Sequence, residues 1–134
     1  MNEWVRYLIA FVVACHGITY LLFGFLGPSQ MKEWKGESWI LGPVLSASRV
    51  RAAVPVVHVI AGLSIIATGI AIAFAQQVPE LWRPLAVVGG VASIAAFAAF
   101  WDGRPKYIVQ EGGIGLGLSV ILLIAALALP GIFS

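Results

Sequence analysis

The feature that most constrains this chain is a long apolar run near its N-terminus, residues 5–27, VRYLIAFVVACHGITYLLFGFLG. A hydrocarbon core about 30 Å thick is crossed by roughly 20 apolar residues in a helix that rises about 1.5 Å per residue. The run is therefore long enough to cross a membrane. Polar side chains lie at its middle, at Cys15, His16, Thr19 and Tyr20. Because polar groups are costly at that depth, we expect other helices to pack over them.

Three further apolar segments follow, and the four together predict an all-α fold: an integral membrane four-helix bundle in which residues 1–134 form a single domain. The predicted spans are residues 4–27, 49–76, 81–101 and 112–129. Pro55 is expected in the first turns of the second span, where it can kink the helix. The fourth span is short, so it should run steeply or recruit residues 107–109.

The longest connection, residues 28–48, mixes charged residues with tryptophan, glycine and proline. Tryptophan is enriched where a membrane meets water. We therefore expect an interfacial first loop that contains a short helix and a turn rather than a strand. Its charged and tryptophan residues are Lys32, Glu33, Trp34, Lys35, Glu37 and Trp39.

The composition agrees with a membrane protein and excludes other classes. Hydrophobic residues make up 60% of the chain and charged residues 10%, whereas soluble domains carry about 25% charged residues. The net charge is +2, and the basic residues are spread over short loops rather than gathered on one face, so no nucleic acid partner is expected. The expected partners are the lipid bilayer and either further copies of the chain or a larger membrane complex.

The positions of the basic residues predict how the chain is oriented. Four spans place both termini on the same side of the membrane, together with Arg6 and Arg83. The opposite side holds Lys32, Lys35, Arg49, Arg51, Arg104 and Lys106. Because cytoplasmic loops are enriched in Lys and Arg, we expect loops 28–48 and 102–111 in the cytoplasm and both termini outside the cell membrane.

The polar residues of the first two spans form the candidate site. His16, Thr19 and Tyr20 are spaced so that they share one face of a helix. The second span offers His58. Two helical histidines can ligate a haem, so we interpret His16, Tyr20 and His58 as the lining of an intramembrane pocket for haem or quinone. The alternative is that each histidine is neutral and bonded to a neighbouring hydroxyl or carbonyl.

The depth of the two histidines decides whether they can meet. His16 lies 11 residues before Gly27, which corresponds to roughly 16 Å along a helix. His58 lies roughly 14 Å into the second span if that span begins at Arg49. If the span begins at Pro55, His58 is much shallower and the depths differ.

Two smaller groups of residues have both a structural and a functional interpretation. Asp102, Arg104 and Lys106 indicate a solvated turn; alternatively, Arg104 and Lys106 form a headgroup or anion site beside Trp101. Cys15 is interpreted as a small buried hydrophobe.

Small residues recur four apart in the third and fourth spans. They form Gly89-x-x-x-Ser93 and Gly113-x-x-x-Gly117. Such pairs let helix backbones approach closely. They predict either packing inside the bundle or a homo-oligomer face.

Three stretches of the chain resemble the DoxX-like superfamily of small bacterial membrane proteins. They are ACHGITYLLFG in the first span, HVIAGLSIIATGI in the second, and the compact third and fourth pair. The His-Gly of the first span and the turn FWDG after the third also resemble uncharacterised four-span relatives. The resemblance implies a four-helix bundle in the cell membrane, and some members are linked to quinone-coupled sulfur oxidation. This chain has His58 where such second helices often carry an acidic residue, so no catalytic residue is transferred.

The sequence contains no Ser-His-Asp set, Walker loop or HExxH motif, and we assign no catalytic or metal-binding residue. It favours a non-catalytic accessory or ligand-binding helix bundle. The alternative is a redox-associated membrane subunit that binds quinone or haem between spans one and two. A transporter component is disfavoured because no span carries a central charge to couple an ion.

Overall fold

A computed structural model of the chain describes residues 1–26, 35–108, 112–129 and 131–133. Four α-helices lie in these ranges, and no strand is found among them, which confirms the all-α prediction. The helices are α1 (Glu3–Leu26), α2 (Ala47–Ala73), α3 (Trp82–Phe100) and α4 (Gly113–Ala128), with a 3-10 helix at Pro105–Tyr107. The first three α-helices are long and apolar enough to cross a membrane.

The fourth helix is the shortest, with 16 residues. Its length is about 24 Å, less than a hydrocarbon core. Gly112 precedes it with a φ of 101°, a left-handed conformation that interrupts the helix on its N-terminal side. Residues 107 and 108 do not extend α4, since the first ends the 3-10 helix and the carbonyl of Ile108 accepts the N–H of Gly113 at 2.7 Å. Residue 109 lies outside the described residues.

The first loop packs against the C-terminal end of α3. Residues 39–44 form consecutive turns, as predicted, and residues 35–46 contain no helix. The Ser38 hydroxyl donates to the carbonyl of Ala98, and the N–H of Trp39 donates to the carbonyl of Trp101 at 2.8 Å. Residues 28–34 lie outside the described residues, and with them Lys32, Glu33 and Trp34.

Helix α2 begins early enough to include the whole segment before its proline. It starts at Ala47, so Pro55 lies inside the helix, in its third turn. Pro55 has no N–H, so it makes no backbone hydrogen bond to the carbonyl one turn before it. Because residues 49–55 are helical, a second helix that begins at Pro55 is wrong.

The helices that follow one another in the chain pack side by side: α1 with α2, α2 with α3, and α3 with α4. Glycines set the closest approach between α1 and α2. A Cβ atom added to Gly17 would lie 2.8 Å from the carbonyl oxygen of Gly62, and one added to Gly62 would lie 2.8 Å from that of Gly17. Only glycine therefore fits at this crossing without moving the helices apart.

The small residues of α3 pack inside the molecule. A Cβ atom on Gly89 would meet Ile65 of α2 at 3.0 Å, and one on Gly90 would meet Leu123 of α4 at 3.0 Å. Ser93 is fully buried. For α3 the internal interpretation of the small-residue pattern is therefore correct.

Side-chain size is distributed with small residues inside and large apolar residues outside. Fully buried positions include Ala61, Ala86, Ala96, Thr68, Ser93 and Ser119. Exposed positions on the four helices include Phe11, Leu22, Leu63, Ile70, Val91, Ile121 and Leu127. Larger buried residues also contribute to the core, among them Ile65, Ile72 and Trp82, whose ring lies against Phe133 at a centroid distance of 4.8 Å.

Candidate functional site

A cavity of about 390 Å³ lies among the four helices. It is closest to the ends where α3 finishes and α4 begins, because Phe100 and Gly112 both line it. Its lining contains no charged residue. The lining residues are Val12, Cys15, His16, Thr19, Tyr20, Phe23, His58, Phe100, Gly112, Ile114, Gly115 and Leu118.

The structure brings together the three residues that the sequence singles out. The rings of His16 and Tyr20, one helical turn apart on α1, meet edge to face at a centroid distance of 5.2 Å. The Tyr20 ring also lies 5.8 Å from the ring of His58 on α2. The glycine crossing next to them explains this proximity, since Gly17 and Gly62 hold α1 and α2 in this register. Both histidine rings therefore contact the same tyrosine ring, while their depth in a membrane stays a prediction.

His16 connects α1 to α4. Its Nε2 atom lies 3.0 Å from the hydroxyl oxygen of Ser119, which is fully buried. The Thr19 hydroxyl donates to the backbone carbonyl of His16 at 2.6 Å. A Cβ atom on Gly115 would lie 3.2 Å from Cε1 of His16, so a glycine there lets α4 approach the imidazole.

His58 is held by its own helix in one tautomer. Its Nδ1 atom lies 2.7 Å from the carbonyl oxygen of Val54. A carbonyl can only accept, so Nδ1 carries the proton in the neutral ring and Nε2 keeps its lone pair. Both histidines thus have a hydroxyl or carbonyl partner, as expected if they are neutral, hydrogen-bonded residues of the bundle interior. Both also line the cavity.

Aromatic rings form the innermost wall of the cavity. The ring of His58 lies 5.7 Å from that of Phe100 and 6.2 Å from that of Phe23. Phe23 and Phe100 lie 6.3 Å apart. The wall is therefore apolar and suits a flat ring, because aromatic groups stack or meet edge to face at such distances.

The cavity is closed at its inner aromatic wall and open on the opposite side. Tyr20, His58 and Phe100 are 7%, 5% and 3% exposed. The lining residues of the other side remain accessible: Val12 on α1 is 49% exposed, and Ile114 and Leu118 on α4 are 62% and 43% exposed. The cavity therefore opens to the surface between α1 and α4.

Arg104 and Lys106 lie away from this cavity. The guanidinium of Arg104 pairs with Asp102, with Nε 2.6 Å from Oδ2, and the Asp102 side chain is only 2% exposed. The expected solvated turn is therefore wrong for Asp102. Lys106 is exposed in the 3-10 helix. A second cavity of about 550 Å³ lies beside Asp102, under the first loop.

The sequence gives no sign that Ser119 is the partner of His16. The contact joins residues 103 positions apart, and a single serine in an apolar span has no recognisable pattern. The place of Phe100 in the site likewise depends on how α3 packs against α2, which the sequence does not show. The seven-residue spacing of Gly62 and Gly69 could have pointed to the face of α2 that packs on α1.

Three kinds of comparison bear on the identity of the chain. Comparison with family models, with curated proteins and with solved structures finds no match. Within the described residues, no group of three His, Cys, Asp or Glu residues comes together that could hold a metal ion.

Proposed function

We propose that the chain is a small multi-pass protein of the cell membrane, a four-helix bundle that binds a ligand without catalysing a reaction. The distribution of side-chain size supports membrane insertion. Large apolar side chains cover the outside of all four helices, which would promote aggregation in water. Small and hydroxyl-bearing residues occupy many of the buried positions, as expected where close packing rather than the hydrophobic effect holds helices together.

The ligand class that fits best is a quinone. The cavity is close to the lower end of the range of about 300–1,000 Å³ for small-molecule sites. Its wall is aromatic, and its polar atoms are few and neutral. One observation carries the proposal: the rings of His16, Tyr20 and His58 meet at one uncharged cavity.

The polar atoms suit both redox forms of such a ring. The Tyr20 hydroxyl can donate to a quinone carbonyl, and Nε2 of His58 can accept from a quinol hydroxyl. Neither atom has a hydrogen-bond partner among the described residues. A ligand that supplied these bonds would gain about 0.5–1.5 kcal/mol from each.

Haem fits less well than a quinone. A haem between two histidines needs an Nε2 lone pair on each, facing a shared iron. The Nε2 of His16 is already within hydrogen-bond distance of Ser119, and the Tyr20 ring contacts both histidine rings. Membership of the DoxX-like superfamily and assembly with further copies or a larger membrane complex stay predictions.

Binding of a quinone to the purified protein tests this function. We expect decyl-ubiquinone to bind in detergent micelles, and Tyr20→Phe and His58→Leu each to weaken binding about fivefold, equivalent to one hydrogen bond. Ser93→Ala is the matched control, because Ser93 is buried and bonds to Gly89 of its own helix, away from the cavity.

Three results would contradict the quinone assignment. They are no binding by the wild-type protein, wild-type affinity in both cavity variants, and a Soret band that disappears in His16→Ala and in His58→Ala. The last would favour haem instead.

A further inference from the structure

We infer that the ligand reaches the cavity from within the bilayer, between α1 and α4, and is an amphiphile with a ring head and a long apolar tail. The ring lies in the cavity, and the tail passes through this opening into the lipid. This inference rests on the proposed function, since it assumes a membrane setting and a ring-sized ligand. It adds the access route and the class of tail.

The exposure of the lining residues is the first observation. The wall formed by α2 and α3 is closed, with His58 and Phe100 almost fully buried. Val12, Ile114 and Leu118 flank the open side and are all aliphatic. In a membrane these three side chains would face hydrocarbon rather than water.

The packing of the helices is the second observation. Consecutive helices pack along one another, whereas α1 and α4 do not form such an extended contact. The described hydrogen bond across this pair is the one from His16 to Ser119. We refer to the line between α1 and α4 as the seam. Among the described residues, α1 and α4 approach each other locally, at His16, Ser119 and Gly115, whereas consecutive helices pack along their lengths, so we expect the seam to separate more easily than those pairs.

The volume and chemistry of the cavity are the third observation. A cavity of about 390 Å³ holds a substituted ring. Because the cavity is open between α1 and α4, a long chain attached to that ring would extend through the opening. The lining also contains no charge that would recognise an ionic, water-soluble ligand. A tail along the seam would pack against Val12 and Leu118, and because lipid chains are as apolar as these side chains, the gain would come from close packing.

Two ligands with the same head test the inference. The probes are the tailless quinone 2,3-dimethoxy-5-methyl-benzoquinone and its decyl derivative, titrated against protein in nanodiscs, with each concentration expressed per mole of lipid. We expect the decyl form to bind about tenfold more tightly per mole of lipid, because only the tail makes packing contacts with the seam.

Leu118→Trp then blocks the opening. It should lower the ratio of decyl to tailless affinity about fivefold or more and slow association of the decyl form. Ile121→Trp is the matched control, because Ile121 lies on α4, is 66% exposed and does not line the cavity.

A second pair of variants, on α1, tests the same opening independently in case the α4 variants misfold. Val12→Trp should act like Leu118→Trp, and Leu8→Trp, 62% exposed and outside the lining, should act like wild type. Far-UV circular dichroism and gel filtration identify any variant that misfolds.

Equal affinities per lipid for the two quinones, or an unchanged ratio in both blocking variants, would overturn the route while leaving the quinone site in place. A wild-type protein that binds neither quinone would overturn the site itself.

Discussion

Tyr20 occupies the central position in the candidate site, because both histidine rings contact it and it lines the cavity. Its placement follows from an ordinary property of helices: residues four apart lie on one face, which brings Tyr20 next to His16. Residues on the same helix can be related in this way from sequence. The contact between Ser119 and His16 could not be predicted in this way, because it depends on how α4 is oriented against α1.

At the residue scale, Ser119→Ala should destabilise the protein by about 1–2 kcal/mol. The substitution leaves Nε2 of His16 without its partner at 3.0 Å, inside a site that water reaches poorly. Unfolding by sodium dodecyl sulfate, followed by circular dichroism, measures the change in free energy of unfolding.

Ser93→Ala is the control for this change. Ser93 is equally buried, but its hydroxyl donates to the carbonyl of Gly89 in the same helix. Its loss orphans no side chain, so a smaller effect is expected. Equal losses in the two variants would show that the bond from α1 to α4 contributes little.

At the scale of elements, the length of each apolar run predicts the helices well, with bounds within a few residues of those observed. Length alone does not show which faces meet. The sequence directs attention to small residues in the third and fourth spans, whereas the glycine-to-glycine approach lies between α1 and α2. Packing faces depend on the relative rotation of two helices, which the hydrophobic pattern leaves undetermined when both are apolar all round.

Gly62→Ala tests this crossing. The added methyl group would lie 2.8 Å from a backbone oxygen of α1, so the two helices must separate, and we expect a loss of about 1–3 kcal/mol in unfolding free energy. The same detergent titration measures it. Because the crossing sets the register of Tyr20 against His58, quinone binding should weaken as well.

Gly117→Ala is the matched substitution on α4. Among the described residues, no heavy atom lies within 4 Å of a Cβ atom at that position. The variant should therefore keep its stability or gain up to about 1 kcal/mol from better helix propensity. A loss similar to that of Gly62→Ala would mean that the Gly117 face is covered, as in a homo-oligomer.

At the scale of the whole molecule, the composition of the sequence predicts a membrane protein. The large apolar side chains exposed on the outside of the helices agree with this prediction. Orientation stays a prediction, because it depends on the positions of basic residues relative to the membrane rather than on internal contacts. Arg6 shows the difficulty: it counts as an external charge, yet it is only 3% exposed.

A reporter fused after residue 134 tests the orientation. With both termini outside, as the excess of basic residues on loops 28–48 and 102–111 predicts, periplasmic alkaline phosphatase should be active in this fusion and cytoplasmic green fluorescent protein should be dark. The converse fusions, made within residues 102–108, should give the opposite pattern. Fluorescence from the C-terminal fusion would reverse the assignment.

The short length of α4 has a consequence for the lipid around the protein. At about 24 Å, α4 is shorter than the hydrocarbon core that it would have to match, whereas α1 and α2 exceed that thickness. Such hydrophobic mismatch thins the bilayer beside the shorter helix, at a fraction of a kcal/mol per Å. In the proposed setting the thinned lipid lies at the seam, so headgroups and disordered acyl chains approach the mouth of the cavity.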